Sequence, residues 1–148
     1  MDVKRALEAA DGNQDKAEVA LREKGLSKAA SKGDRSTAEG LVDSYIHGGG
    51  RIGALVELNC ETDFVARTPE FVELAHNIAM QVAAMGAIYV SPEDMPADDT
   101  RDPDEVCLMN QPFIKESSKS IADLILDVRA RVGENIKVSR FIRFGLGG

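Results

Sequence analysis

Cys60 is the residue whose type most directly suggests covalent chemistry, because a thiolate paired with a histidine base is a common nucleophile. His47 and His76 are available as that base, and Glu57, Glu61 and Asp63 could orient it or form an acid/base pair of their own. Nothing in the spacing fixes such a geometry. Alternation through Ile52, Ala54, Val56 and Leu58 puts Cys60 on the side of Leu58, with Glu57 and Asn59 opposite, which is the pattern of a small buried residue at a strand end. His76 falls on the polar side of its helix and reads as solvated. Gly48-Gly49-Gly50-Arg51-Ile52-Gly53 matches GxGxxG literally, but the dinucleotide fingerprint needs a strand before it and a helix after it. Here a strand follows, so the run reads as a hairpin turn.

Glu61-Thr62-Asp63-Phe64-Val65 lies between a strand end and a capped helix, where a loop tip could expose Asp63 and Phe64 together. Rigidly supported loops are common places for binding residues. Spacing alone leaves two readings open: Phe64 tucked into the core, as most phenylalanines are, or Phe64 displayed.

The elements around this segment follow from apolar periodicity. Leu41 to His47 and Ile52 to Leu58 read as two strands of an antiparallel hairpin. Thr68-Pro69 opens a helix with Phe71, Leu74, Ala75, Ile78, Ala79, Val82 and Met85 on one face and Gly86 at its end. Residues 91–105, crowded with Pro and Asp, read as an exposed loop. Ser120 precedes a second helix with Ile121, Leu124, Ile125, Val128 and Val132 on one face and Gly133 as its stop. Ile136, Val138, Ile142 and Phe144 alternate in a last strand. The sum is an α+β domain with a small antiparallel three-stranded sheet covered on one face by helices. Phe141 interrupts an otherwise polar second face of Lys137, Ser139 and Arg143, and Tyr45 and Leu55 are candidates for facing away from the helices. An uncovered face carrying apolar residues suggests that another surface packs there.

Upstream, Val3, Ala6, Leu7 and Ala10, then Ala17, Ala20 and Leu21, describe two short helices separated by Asp11-Gly12-Asn13 and closed by Gly25. The predicted division is a helical module over 1–26, a linker rich in Ser, Lys, Ala and Gly over 27–39, and a core domain over 40–148. A chain of 148 residues with 43% hydrophobic content can bury one core. The net charge of -7 disfavours a phosphate-neutralising surface and so direct nucleic-acid binding, and favours protein partners. Cys60 and Cys107 belong to no CxxC or Cys/His cluster, so neither a metal site nor a disulfide framework is suggested, and a reducing compartment fits. No apolar run reaches the length of a membrane span and no signal peptide is evident; the expectation is a soluble, intracellular protein.

Leu58-Asn59-Cys60-Glu61-Thr62-Asp63-Phe64-Val65-Ala66 resembles the most recognisable motif of the elongation factor Ts family, in its short, single-core type. Gln111-Pro112-Phe113-Ile114-Lys115, then Gly133-Glu134-Asn135-Ile136 and Arg140-Phe141, resemble that family's second signature. Met1-Asp2-Val3-Lys4-Arg5-Ala6-Leu7 is similar to the second helix of its small N-terminal, ubiquitin-associated-like (UBA-like) module, here incomplete. The resemblance departs in two places: that module's first helix has no counterpart, and the helical stretch of many relatives before the Gln-Pro-Phe motif is reduced to the Pro/Asp-rich segment.

The resemblance implies a guanine-nucleotide exchange factor that binds elongation factor Tu and promotes GDP release, with no catalytic residue, cofactor or metal of its own. It implies partner-binding residues at Met1, Thr62, Asp63, Phe64 and Val65, with the Asp63-Phe64 pair inserted beside the Mg²⁺ and phosphate site of the GTPase. It also implies a homodimer, since longer relatives carry two related core halves in one chain, and hence a two-plus-two complex. The implied location is bacterial cytoplasm, chloroplast stroma or mitochondrial matrix. Two other classes remain beside it: a thiol hydrolase built on Cys60, and a ribosome- or GTPase-associated binding module without exchange activity.

Overall fold

A computed structural model of the protein describes residues 35–148. The expected helical module of residues 1–26, with Met1, and the linker as far as residue 34 lie outside the described residues. β1 (Glu39–Ile46) and β2 (Ile52–Cys60) pair antiparallel with Leu41 opposite Leu58 and Tyr45 opposite Ala54. The glycine run closes the hairpin, and the His47 amide donates to the Ile52 carbonyl at 2.9 Å. After β2 come a helical turn, α1 (Asp63–Ala66), and the long α2 (Pro69–Met85). A second turn, α3 (Pro103–Val106), a short ribbon of β3 (Pro112–Phe113) and β4 (Glu116–Ser120), and α4 (Ile121–Val132) lead to β5 (Ile136–Gly145). β5 pairs antiparallel with the free side of β2, so the sheet order is β1-β2-β5. The α+β class with a small antiparallel three-stranded sheet is the one the periodicity predicts.

β2 decides which side of the sheet is covered. Ala54, Val56, Leu58 and Cys60 are buried under α2, while Leu55, Glu57 and Asn59 point the other way. The Thr68 hydroxyl accepts from the Phe71 amide to cap α2, and Pro69 occupies its first turn. Phe71, Leu74, Ala75, Ile78, Ala79 and Val82 then form the buried stripe, which ends with Ala83 and leaves Met85 half exposed. On α4, a capping box between Ser120 and Asp123 starts the helix, and Ile121, Ile125 and Val128 are buried. Both helices stop at left-handed glycines, Gly86 and Gly133.

Three features depart from the periodicity. First, Ser139 is an extra residue in β5: Glu57 pairs with Arg140 while Leu58 pairs with Val138. A bulge of this kind reverses the facing of every later side chain. Ile136 and Val138 therefore face the helices, but beyond the bulge it is Phe141 that packs on the core, and Ile142 and Phe144 turn to the open face. Second, Tyr45 lies on the helix side, its ring 5.8 Å from that of His76 on α2. Leu55 is on the open face as expected. Third, residues 91–105 lie at the surface as expected, but the segment carries helical turns and hydrogen bonds of its own. Tyr89 donates to Asp99 at 2.8 Å, Arg101 forks onto the same carboxylate, and Val106 and Cys107 are buried. The β3–β4 ribbon is docked by the buried Gln81, which donates to the Gln111 side chain and the Pro112 carbonyl and accepts from the Ile114 amide.

Gly40 sits hard against β2. A Cβ there would lie 2.1 Å from the Leu58 carbonyl oxygen and 2.7 Å from the Asn59 Cα, at a φ of +145° that side chains rarely adopt. Gly40→Ala should therefore lower the unfolding free energy by about 2–3 kcal/mol, read from urea denaturation at fixed protein concentration. An unchanged midpoint would contradict this account of the β1–β2 contact.

Candidate functional site

The motif segment forms one turn of helix pinned at both ends, with its middle pushed outward. β2 ends at the fully buried Cys60, whose thiol donates to the Thr62 carbonyl at 3.0 Å. The Thr62 hydroxyl accepts from the Val65 amide at 3.3 Å, as an N-cap does. At the far end the Thr68 hydroxyl donates to the Val65 carbonyl at 2.8 Å while capping α2. Val65, 6% exposed, and Ala66 bind the turn to the core, which leaves Phe64 78% exposed on the opposite side. Asp63 sits beside it, and Arg67 meets its carboxylate at 2.8 Å in an exposed i,i+4 pair. Such a pair contributes at most a few tenths of a kcal/mol at about this exposure.

The base of the turn is held from the other end of the chain. Glu134, just after the Gly133 stop of α4, accepts from the Glu61 and Thr62 amides through Oε1, each at 3.0 Å. Its Oε2 accepts from the Thr62 hydroxyl at 2.7 Å. In return Glu61 Oε2 accepts from the Asn135 amide at 2.6 Å, and the Arg35 guanidinium stands 3.8 Å from the same oxygen. The Asn135 side chain also donates to the Arg35 carbonyl at 2.7 Å.

Of the residues implied as partner-binding, Asp63 and Phe64 thus form the exposed tip. Thr62 is the cap beneath them and Val65 is their buried anchor, while Met1 lies outside the described residues. The exposure of Phe64 excludes the core reading that spacing left open. The role of Glu134 is not legible in the sequence: a carboxylate after a helix-stopping glycine is visible, but its partners lie more than 70 residues away.

The residues that could have made a thiol or acid/base site are separated. Cys60 and His47 stand at opposite ends of the hairpin, roughly 25 Å apart by strand rise. His76 is not simply solvated, since its ring nitrogen lies 3.7 Å from Asp43. Burial, and then the nearby Glu134 charge, pushes the Cys60 thiol up from its usual range, which leaves it less thiolate. Glu57 hydrogen-bonds with Asn59 and Arg140, which hold its carboxyl below the usual range. Glu57, Glu61 and Asp63 each have a different partner, so no two of them share a proton site. No group of His, Cys, Asp and Glu among the described residues is arranged to hold a metal ion, and no described helix is long and apolar enough to cross a membrane. What the site can do is present a rigidly held aromatic ring and a carboxylate to another macromolecule.

The sequence model of a family described as "Elongation factor TS" matches residues 26–103, which include this turn. The protein named Elongation factor Ts in Carboxydothermus hydrogenoformans is 45% identical over 177 aligned positions, covering 99% of this chain and 82% of its own length. The Elongation factor Ts of Thermotoga petrophila is 44% identical, over 99% of this chain and 88% of its own. The chain belongs to the elongation factor Ts family. It is thereby one of the factors of translation elongation. A relative from Pyropia yezoensis named "Elongation factor Ts, chloroplastic" is 46% identical over 100% of this chain and 81% of its own, so bacterial and chloroplast members of the elongation factor Ts family both align along it. An alignment of 177 positions against 148 residues leaves at least 29 positions of the first relative without a counterpart here, a departure of the kind noted before the Gln-Pro-Phe motif.

Because Phe64 is displayed and Phe71 is fully buried, the two should respond very differently to truncation. Phe64→Ala should leave the unfolding free energy within about 0.5 kcal/mol of the parent. Phe71→Ala should lower it by about 3–5 kcal/mol. Equal losses in thermal melts of the two variants would contradict the placement of Phe64.

Proposed function

We propose that this protein is a guanine-nucleotide exchange factor for elongation factor Tu, and that the tip Asp63-Phe64 is its exchange element. The observation that carries this reading is an aromatic ring 78% exposed on a turn whose neighbours Val65 and Ala66 are buried. An exposed aromatic on a fixed support has the character of an interface hot spot. Membership of the elongation factor Ts family supports elongation factor Tu, the GTPase that the resemblance implies, as the partner.

The mechanism needs no covalent step. A GTPase holds GDP through a phosphate-cradling loop and Mg²⁺, so a factor that binds the nucleotide-free state better than the loaded state speeds release. By reciprocity, nucleotide rebinding weakens the grip of the factor. Phe64 supplies apolar contact within the nucleotide domain, and Asp63 competes for hydrogen bonds near the metal and phosphates. Residues 1–26, expected from their apolar spacing to be helical and including Met1, touch the same domain, and the core of residues 40–148 grips a more distant one.

Phe64→Ala should slow factor-stimulated release of a fluorescent GDP analogue from elongation factor Tu, with an interface loss of about 2 kcal/mol or more. Asp63→Asn tests the charge with the shape kept. Normal exchange with both variants would sink the mechanism. Tight binding of the GTPase by the parent protein without faster GDP release would favour a binding module instead.

The open face of the sheet supports a homodimer, and so a two-plus-two complex. Val42, Ile46, Leu55, Ile142 and Phe144 form an exposed apolar surface across all three strands. A second copy of a chain with net charge -7 is repelled overall, but Glu57 on this face is already paired with Arg140 at 2.9 Å, so the patch itself presents little charge to its twin. The longer family members, with two core halves in one chain, fit the same arrangement. Sedimentation at micromolar concentration should return twice the mass of one chain, and Leu55→Glu should reduce it to one. A parent protein sedimenting at 16.0 kDa would contradict the dimer.

A further inference from the structure

We propose that Glu134 is a positioning residue for nucleotide exchange: its carboxylate fixes the direction in which Phe64 is presented, without touching the GTPase nucleotide site itself. The inference rests on the exchange function proposed for the Asp63-Phe64 tip. A single helical turn is not stable by itself, because nucleating a helix fixes several residues for one hydrogen bond. The direction of Phe64 therefore depends on what holds each end of α1. The C-terminal end is held by the burial of Val65 and Ala66 and by the Thr68 cap. The N-terminal end is held by three hydrogen bonds to one side chain, those from the Glu61 amide, the Thr62 amide and the Thr62 hydroxyl to Glu134. Thr62 is at once the cap of the turn and the donor to Glu134, so the carboxylate also fixes the hydroxyl that accepts from Val65.

This clamp contributes to direction more than to the stability of the fold. Thr62 is exposed and Glu61 half-buried, so water can replace Glu134 at the freed groups. The core beneath the turn is closed by Cys60, Val65 and Phe71, none of which needs Glu134 to pack. Loss of the carboxylate leaves the domain folded, with Phe64 spread over several orientations. An interaction that requires one orientation then fails in its rate-determining step, while the distant contacts of the core with the GTPase persist.

The test uses the full chain and elongation factor Tu loaded with fluorescent GDP, with the factor titrated to saturation. Glu134→Ala should lower the maximal stimulated rate about 10- to 100-fold, as misplacement by an ångström does. The half-saturating factor concentration should change by less than about threefold. Glu134→Gln keeps one acceptor for the two amides and should recover much of the lost rate. The Glu61 and Thr62 amides should exchange hydrogen faster in Glu134→Ala, and that substitution should add little to the defect of Phe64→Ala. A normal maximal rate in Glu134→Ala, with Phe64→Ala slow, overturns the positioning role and leaves the exchange element standing. A normal rate in Phe64→Ala removes the exchange element itself. Should Glu134→Ala and Glu134→Gln both lose melting temperature and raise the half-saturating concentration together with the rate, Glu134 is structural and the inference is overturned.

Discussion

Where β2 stops pairing and the first helical turn has not begun, backbone groups lose the ladder and have no helical partner. Such groups must find another partner or water. Here two segments more than 70 residues apart satisfy each other: Glu134 takes the Glu61 and Thr62 amides, and Glu61 takes the Asn135 amide. The exchange joins the loop after β2 to the turn between α4 and β5, and both strands are neighbours in the sheet. The direction in which the tip is displayed depends on this corner, while the covered face and α2 are held by the apolar core beneath it. Arg35, where the described chain begins, is bound to the same corner through the Asn135 side chain and Glu61. The described chain therefore starts beside the base of the turn that carries Phe64.

The sheet divides the molecule into surfaces with separate roles. Alternation on β2 sends Val56, Leu58 and Cys60 under α2 and sends Leu55 and Glu57 to the open side. The Ser139 bulge then gives β5 both kinds of surface in one strand, Val138 and Phe141 toward the core and Ile142 and Phe144 away from it. The exposed tip at Asp63 and Phe64 follows the Cys60 end of the hairpin, whereas Ile46, Phe144 and Leu146 cluster near the glycine turn at its other end. A second copy seated on the open face thus leaves the tip free, so the two proposed contacts do not compete.

The local signals in the sequence were legible and the non-local ones were not. Thr68-Pro69 and Ser120 are read as helix starts because a cap is made within three residues, and Gly86 and Gly133 as stops for the same local reason. The hairpin and the buried side of Cys60 follow from period two. The reversal at Ser139 did not follow, because Phe141 and Ile142 are both apolar and either suits the inward face until the register with β2 is known. Tyr45 faces the helices because it pairs with Ala54, a register that β1 read without its partner strand does not give, and its ring there meets His76. β4, reading Glu-Ser-Ser-Lys-Ser, carries no apolar alternation at all, and its ribbon is held by the amide of Gln81 on another element. At the tip, the residues were legible through family resemblance, but the clamp beneath them was not.

The energetics explain why an exposed Phe64 is compatible with a stable domain. Leaving such a ring in water forgoes about 1.5–3 kcal/mol that burial would supply. Glu134 accepts three hydrogen bonds at the base of the turn, which fix its direction where water could otherwise take the same groups. Val65 and Ala66 add apolar burial on the inner side. The turn is thus held without any contribution from Phe64, and the free energy of burying that ring is not spent in folding. It becomes available only when a partner covers it, where about 1.5–3 kcal/mol corresponds to a factor of about 10 to 150 in the equilibrium between two states of that partner. A ring used this way has to be held in one direction before binding, since orientation entropy would consume much of the gain. The carboxylate corner and the exposed aromatic are therefore two parts of one device.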